Sequence, residues 1–299
     1  MSSDNSRCGF IAVAGRPNVG KSTLVNALVG HKISIVSPKP QTTRQRVLGI
    51  LNTQSAQLVF VDTPGIHGGG KRMLNRRMNQ SASSAIFDAD VILLVVEALR
   101  WTEQDERVLV QCLRAERPLG VVINKIDTVR GRTQLLPYIQ SLQNKAEFAF
   151  IVPVSAERRE NLVELERVLV EHLPESPPLF PHEQITDQPQ VTRAGELVRE
   201  QLMRVLQQEV PYSTAVQIDE FKEETGLLRI AATIWVEREG QKAIVIGSNG
   251  AQLKKIGQEA RMEMQRAFGK KVFLQLWVKV RENWADDERA LRQLGLEDT

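Results

Sequence analysis

The sequence predicts an α/β domain built on a mostly parallel six-stranded sheet, with helices on both faces and one antiparallel strand, followed by a small α+β domain. Three observations carry this prediction. Through the first 174 residues, blocks of apolar residues alternate with helical patterns, as expected for strands covered on both faces. The stretch "PESPPLFPHEQITDQPQ" then holds Pro174, Pro177, Pro178, Pro181 and Pro189, and proline both fixes φ and removes a backbone donor, so neither helix nor central strand runs through it. Beyond it, the apolar residues of two long runs recur at period two, the pattern of a half-buried sheet. The expected organisation is a first domain over 1–174, a semi-rigid linker over 175–190 and a second domain over 191–299.

Taken in order, "CGFIAVAG" (8–15) is a buried strand, and a helix is expected to begin near Lys21. "QRVLGILNTQSAQLVFVDT" (45–63) reads as two strands joined by a polar turn, a hairpin that supplies the antiparallel strand. "DVILLVVEA", "LGVVINK" and "AFIVPVSA" are three further strands with helical stretches between them. After the linker, "RAGELVREQLMRVLQQEVP" is an amphipathic helix expected to close at Pro211, and "TAVQIDEF" and "LLRIAATIWVER" are strands. Leu228, Ile230, Ala232, Ile234 and Val236 alternate, as do Val272, Leu274, Leu276, Val278 and Val280 in "KVFLQLWVKV". Between these runs lie a strand-like "AIVI", the loop "IGSNG" and a helix through about Phe268. The expected order is α-β-β-α-β, with the second helical region divided at Gly257 to give α-β-β-α-α-β. "WADDERALRQLGL" reads as a short capped helix closing the domain, with contact to an RNA end as the second reading.

The composition is that of a globular chain with real cores: 42% hydrophobic and 25% charged over 299 residues. Two cysteines, Cys8 and Cys112, are too few for a disulfide framework and suggest a reducing cytoplasm. No apolar run reaches the roughly 18 residues of a spanning helix, and "MSSDNSRCGF" lacks a signal-peptide core. The net charge of +3 hides an uneven distribution. Gly240 to Arg281 carries nine Lys/Arg against two acids, whereas the tail from Glu282 carries six acids against two arginines. A basic segment beside a glycine loop suits a polyanion, although a solvated charged face looks the same in sequence.

The chemistry begins at "GRPNVGKS", Gly15, Arg16, Pro17, Asn18, Val19, Gly20, Lys21 and Ser22, which matches G-x-x-x-x-G-K-[ST] between a strand and a helix. Glycines let backbone N–H groups converge on phosphate oxygens at a helix N-terminus, where Thr23 follows. Lys21 should reach the β/γ-phosphates and Ser22 should ligate Mg²⁺. "NKID" places Asn124, Lys125 and Asp127 after another strand. The Asp127 carboxylate can accept from both N1–H and the N2 amino group of guanine. Against adenine it would be desolvated and unpaired, so the base is read as guanine. Asn124 should contact either the purine or the phosphate loop, with the Lys125 stem over the base. In "DTPG", Asp62 is placed to hold Mg²⁺ through water and the Gly65 N–H to sense a γ-phosphate, with Thr63 and Pro64 between them. In "TTR", Thr43 is favoured over Thr42 as a further Mg²⁺ ligand, but two adjacent threonines leave the choice open. "SAE", Ser155, Ala156 and Glu157, ends the last strand, where the Ala156 N–H could meet guanine O6.

The ordered set of "GRPNVGKS", "TTR", "DTPG", "NKID" and "SAE" is similar to the translation-factor-related GTPases. With the trailing domain, the chain resembles the Era-like GTPase family over nearly its whole length: a P-loop GTPase domain followed by a type II KH domain. The resemblance implies GTP and GDP binding, Mg²⁺-dependent hydrolysis of GTP and a switch that GTP orders and hydrolysis releases. Where small signalling GTPases carry a water-orienting glutamine, this chain has Ile66. Family resemblance implies that K⁺ near the phosphates assists instead, with Asn18 as its ligand; as a turn former Asn18 needs no such role. In a KH module, a G-x-x-G loop clamps the backbone of a few single-stranded nucleotides. Ile246, Gly247, Ser248, Asn249 and Gly250, with Lys254 and Lys255 on the following helix, are the matching residues. The resemblance implies that the RNA is the 3′ end of 16S rRNA, and the partner the 30S subunit or its precursor. It also implies peripheral association at the inner membrane; the chain itself is expected to be a monomer in the cytoplasm. The alternative is a membrane-associated signalling or cell-cycle GTPase with accessory RNA binding. Phe273 and Trp277 project opposite the Val272/Leu274 set; packing against a helix is favoured for them over base stacking.

Overall fold

The computed structural model describes residues 6–65 and 72–296. The chain divides into two compact units. Of the described residues, 6–34, 43–65 and 78–187 form the first, and 35–42, 72–77 and 188–296 the second.

The sheet of the first unit contains β1 (Arg7–Ala14), β2 (Val47–Asn52), β3 (Ala56–Asp62), β4 (Val91–Glu97), β5 (Leu119–Asn124) and β6 (Phe150–Pro153). Their order is β2-β3-β1-β4-β5-β6; β2 is antiparallel to β3 and every other pair is parallel. The continuous apolar runs have a direct cause. Ile11 and Val13 enter a core on one face of the sheet, while Ala12 and Ala14 enter a second core on the other, so β1 has no solvated side. Helices α1 (Lys21–Val29), α2 (Met73–Asp88), α3 (Glu103–Leu113) and α4 (Leu135–Gln143) connect the strands, and α5 (Leu162–His172) follows the last of them. The glycine loop, "DTPG", "NKID" and "SAE" all follow the carboxyl ends of strands, where open α/β sheets hold their ligands.

Much of the proline-rich stretch is fastened to this unit. Gln57 accepts from the N–H of Leu179 and Phe180 and donates to Phe180. The Ile50 N–H donates to the Ile185 carbonyl and the Leu48 N–H to Asp187. Phe180 stacks edge-on to Phe10 at 6.5 Å. The outer edge of β2 thus offers N–H groups that the stretch accepts through the Ile185 carbonyl and the Asp187 carboxylate.

The second unit holds α6 (Gln190–Val205), β7 (Ala215–Glu224), β8 (Leu227–Val236), α7 (Glu239–Ile246), α8 (Ala251–Phe268), β9 (Lys271–Val280) and α9 (Glu288–Gln293). The sheet order is β7-β8-β9, with β7 antiparallel and β9 parallel to β8. The alternating apolar faces of β8 and β9 share one core with Leu197, Leu202, Ile256, Ala260 and Met264 of α6 and α8.

Three local expectations are corrected. Helix α6 ends at Val205 rather than near Pro211, because the chain turns extended at Leu206 and buries that side chain. The strand-like "AIVI" is the end of helix α7: helical winding sends Val245 into the core and leaves Ile244 exposed, and a four-residue apolar run cannot distinguish the two states. The helical break lies at Gly247–Gly250, not at Gly257, which sits inside α8.

Candidate nucleotide and RNA sites

The phosphate loop runs from β1 into α1 through backbone that side chains tolerate poorly. Gly20 has φ +97°, and a Cβ there would lie 2.4 Å from Asn124 Nδ2; at Gly15 it would lie 2.5 Å from the Val95 carbonyl oxygen. Asn18 is exposed, with φ 64°, in the left-handed region that asparagine accepts. The Lys21 ammonium is buried within the loop and donates to the carbonyls of Gly15 and Arg16 at 3.0 and 3.2 Å. Burial pulls Lys21 down to about 8, with Asp62 opposing and Arg16 adding to the shift. Thr23 follows in the first turn of α1, partly buried.

Ser22 and Thr43 meet: their hydroxyl oxygens are 2.9 Å apart. Thr42 does not join them, because its hydroxyl is 2.7 Å from both Ser37 Oγ and the Lys39 carbonyl. Asp62 is wholly buried, and neither carboxylate oxygen has a hydrogen-bond partner of good geometry among the described residues. Burial pushes its carboxyl above the ordinary value; the nearby Ser22 and Ser34 hydroxyls and the Lys21 ammonium only temper this. An orphaned buried carboxylate beside two hydroxyls has the hard oxygen donors and the uncompensated charge that a Mg²⁺ site needs. Thr63 hydrogen-bonds the Val13 carbonyl at 3.0 Å, Pro64 is buried, and Gly65 lies against Pro17, where an added Cβ would come within 3.0 Å of the ring. Ile66 lies outside the described residues.

Asn124 turns to the phosphate loop. Its Nδ2 donates to the Val19 carbonyl at 2.8 Å, and its Oδ1 accepts from the Ala156 N–H at 3.0 Å. The Ala156 N–H, expected to meet guanine O6, is engaged here by the asparagine carbonyl. Ser155 has a part that sequence reasoning missed. Its hydroxyl donates to Asp127 Oδ1 at 2.5 Å. Glu157 is exposed to solvent. Arg16 does not project toward the phosphates: its guanidinium donates to Asp105 at 3.1 Å and to Glu97 at 2.5 Å. Neither carboxylate belongs to a motif. The "TEQD" capping box that orients Asp105 was the available signal.

In the second unit, the G-x-x-G loop joins α7 to α8. Gly247 has φ 71° and ψ 176°, a conformation open only to glycine; Asn249 and Gly250 are left-handed. Ile246 is half-buried, and Ser248 and Asn249 are exposed at the tip. A groove of about 580 Å³ runs from Gly250 along Leu253, Lys254, Gly257, Gln258 and Arg261 of α8 to Leu274 and Leu276 of β9. Lys254 and Arg261 therefore line it, one helical face repeating at near-integral turns, while Lys255 is exposed but lies outside it. Phe273 and Trp277 are not packed against a helix: they are 41% and 45% exposed on the outer face of β9, with the Arg229 guanidinium 5.0 Å over Phe273.

Known proteins match both parts of the chain. A family described as "50S ribosome-binding GTPase" matches residues 10–125, and one described as "KH domain" matches residues 209–285. The chain is 54% identical to the GTPase Era of Stenotrophomonas maltophilia strain K279a over 290 residues, 97% of each chain. It is 51% identical to that of Marinobacter nauticus over 293 residues, 98% of this chain and 96% of the other. Among solved structures, a point variant of Aquifex aeolicus Era bound to GDP·AlF4⁻ matches with a TM-score of 0.94 and 42% identity, over 97% of this chain and 99% of that one. A structure of Era with MgGDPNP and nucleotides 1506–1542 of 16S ribosomal RNA matches equally well, with a TM-score of 0.94, 42% identity and the same coverage.

Proposed function

The chain belongs to the Era family of GTPases, and from that premise we propose how its two loops divide the work. The protein binds GTP and GDP, hydrolyses GTP to GDP and phosphate, and binds the 3′ region of 16S rRNA as a molecular switch in small-subunit biogenesis. Its partner in the cell is the 30S subunit or a precursor of it.

One observation carries the nucleotide half: the buried, unpartnered carboxylate of Asp62 beside the Ser22–Thr43 hydroxyl pair. Ser22, Thr43 and Asp62 would hold Mg²⁺, which when bound supplies positive charge against the phosphate oxygens. The Lys21 ammonium exchanges the Gly15 and Arg16 carbonyls for β/γ-phosphate oxygens, which push its depressed pKa back up. The Gly65 N–H meets the γ-phosphate next to Pro17. Asp127, held through Oδ1 by Ser155, accepts from the guanine N1–H and N2 groups, and discrimination against adenine follows from the unpaired carboxylate that adenine would leave. An isoleucine at 66 cannot orient the attacking water, so K⁺ beside the phosphates, with Asn18 as ligand, takes part in hydrolysis. Turnover is expected to be faster in KCl than in NaCl at equal ionic strength, and equal rates remove Asn18 from the mechanism.

In the second unit, RNA backbone lies across Gly247–Gly250 and bases enter the groove between α8 and β9, with Lys254 and Arg261 on its wall. Lys254, Lys255 and Arg261 make no ion pair among the described residues, so their charge is available to phosphates. Anisotropy with a labelled RNA ending in the 16S 3′ sequence tests this half. The paired substitution Ser248→Asp and Asn249→Asp should weaken RNA binding by about tenfold or more while the GTP Kd stays within about twofold. Unchanged RNA affinity would remove the loop from the interface.

A further inference from the structure

The nucleotide motifs leave one charged cluster unused. Glu97 is the last residue of β4, in register with Asn124 of β5. Its Oε2 accepts from Arg16 Nη2 at 2.5 Å, and its Oε1 stands 3.4 Å from Lys125 Nζ. The main chain at this point is fixed from several sides. The Glu97 carbonyl accepts from Tyr138 Oη at 3.2 Å and from the Arg100 N–H at 3.1 Å, while the Ala98 N–H donates to the Asn124 carbonyl at 2.9 Å. Arg16 is also gripped by Asp105, which is wholly buried and whose Oδ2 accepts from the Thr102 N–H and hydroxyl at 2.9 and 2.7 Å. One carboxylate thus ties the phosphate loop to the base motif, while the other ties the same arginine to α3.

We propose that Glu97 is a positioning residue for the guanine nucleotide, joining Arg16 of the phosphate loop to Lys125 of the base motif so that the lysine stem lies over the purine. This rests on the nucleotide site proposed above. The Lys125 backbone is left-handed, with φ 65° at the strand end, so its Cα position is set and the long side chain is the part still to be directed. A lysine stem covers a flat apolar surface only while its ammonium is held elsewhere, and Glu97 Oε1 is the acceptor that holds it. The two arms differ in redundancy. Arg16 keeps Asp105 if Glu97 is removed, whereas Lys125 has Glu97 as its one ion-pair partner among the described residues. Loss of Glu97 should therefore be felt at the base. Burial alone would raise the Glu97 carboxyl, but Arg16 and Lys125 outweigh it and hold the group below the ordinary carboxylate range, so the bridge is charged at neutral pH.

The test measures Kd for GDP and GTP, with KM and kcat, for wild type, Glu97→Ala, Lys125→Ala and the double variant, and adds Glu97→Gln as the shape-preserving substitution should alanine disturb folding. Expected is an equal loss of GDP and GTP affinity of about tenfold, a matching rise in KM, kcat within about twofold, and a double variant no weaker than Lys125→Ala alone. Three results would overturn the proposal: wild-type affinity in both Glu97 variants, multiplying losses in the double variant, or a fall in kcat with KM unmoved. A wild type that binds ADP as tightly as GDP would instead sink the underlying site reading, whatever Glu97 does.

Discussion

Asp62 has no hydrogen-bonded partner for its buried negative charge among the described residues, and that tension makes it testable without any assay of turnover. Its raised pKa means that the folded state holds a proton which the unfolded chain has already released. Nucleotide-free protein should therefore lose stability as pH rises from the ordinary carboxylate range through the folded value. Asp62→Asn removes the uncompensated charge. Thermal melts without Mg²⁺ should flatten in that pH range, with a gain of about 1 kcal/mol at neutral pH, while Mg²⁺-dependent GTP affinity falls by about tenfold or more. A variant melting below wild type at neutral pH would contradict the orphaned carboxylate. The threonines give a second contrast at this scale. Because Thr43 is the one beside Ser22, Thr43→Ala should cut kcat by about tenfold or more, whereas Thr42→Ala, which loses only its bonds to Ser37 and Lys39, should stay within about twofold. Equal losses in both would mean that hydroxyl placement does not decide the ligand. Motif spacing and strand context made Lys21, Ser22, Asp62 and Asp127 legible. Glu97 was not, because it stands 81 residues from the arginine it clamps and an acidic residue at a strand end has no mark of its own; Asp105, 89 residues away, had only its capping box.

At the level of elements, α8 is both wall and floor. Gly257 lies inside the helix, where glycine costs about 1 kcal/mol relative to alanine, and an added Cβ would meet Leu276 Cδ1 at 3.3 Å. Replacing it with leucine favours the helix and fills the groove between Leu253 and Leu276. Gly257→Leu should therefore keep or raise the melting temperature yet weaken RNA binding by about tenfold or more. RNA affinity equal to wild type would move the bases out of this groove. The period-two runs of β8 and β9 were readable because one face is apolar along the whole strand. The state of "AIVI" and the end of α6 were not, since burial of Val245 and Leu206 decided them, and burial is a property of neighbours that sequence spacing does not contain.

For the whole molecule, the basic excess between Gly240 and Arg281 is partly spent internally. Arg266 pairs with Glu263, Lys270 with Glu223 and Arg281 with Asp287. Lys254 and Arg261 remain on the groove wall. RNA affinity should fall steeply with salt, and Lys254→Ala and Arg261→Ala should each reduce the slope of log K against log salt by roughly 0.7, whereas Arg266→Ala should change it less. Equal slopes in all three would place the phosphates elsewhere. The chain just before Thr43 adds a feature that no motif contains. Ile35–Thr42 belongs to the second unit, where the Val36 N–H donates to buried Glu200 at 3.1 Å and Arg199 donates to the Thr42 carbonyl. By itself, the sequence determined that this protein has a GTPase phosphate loop, a mostly parallel six-stranded sheet and a KH-like glycine loop, because each is encoded by residues close together along the chain. Only the tertiary structure decided which threonine meets Ser22, which lysine lines the groove and which carboxylates hold Arg16. Those choices depend on side chains brought together from distant segments, and their partners appear only once the chain has folded.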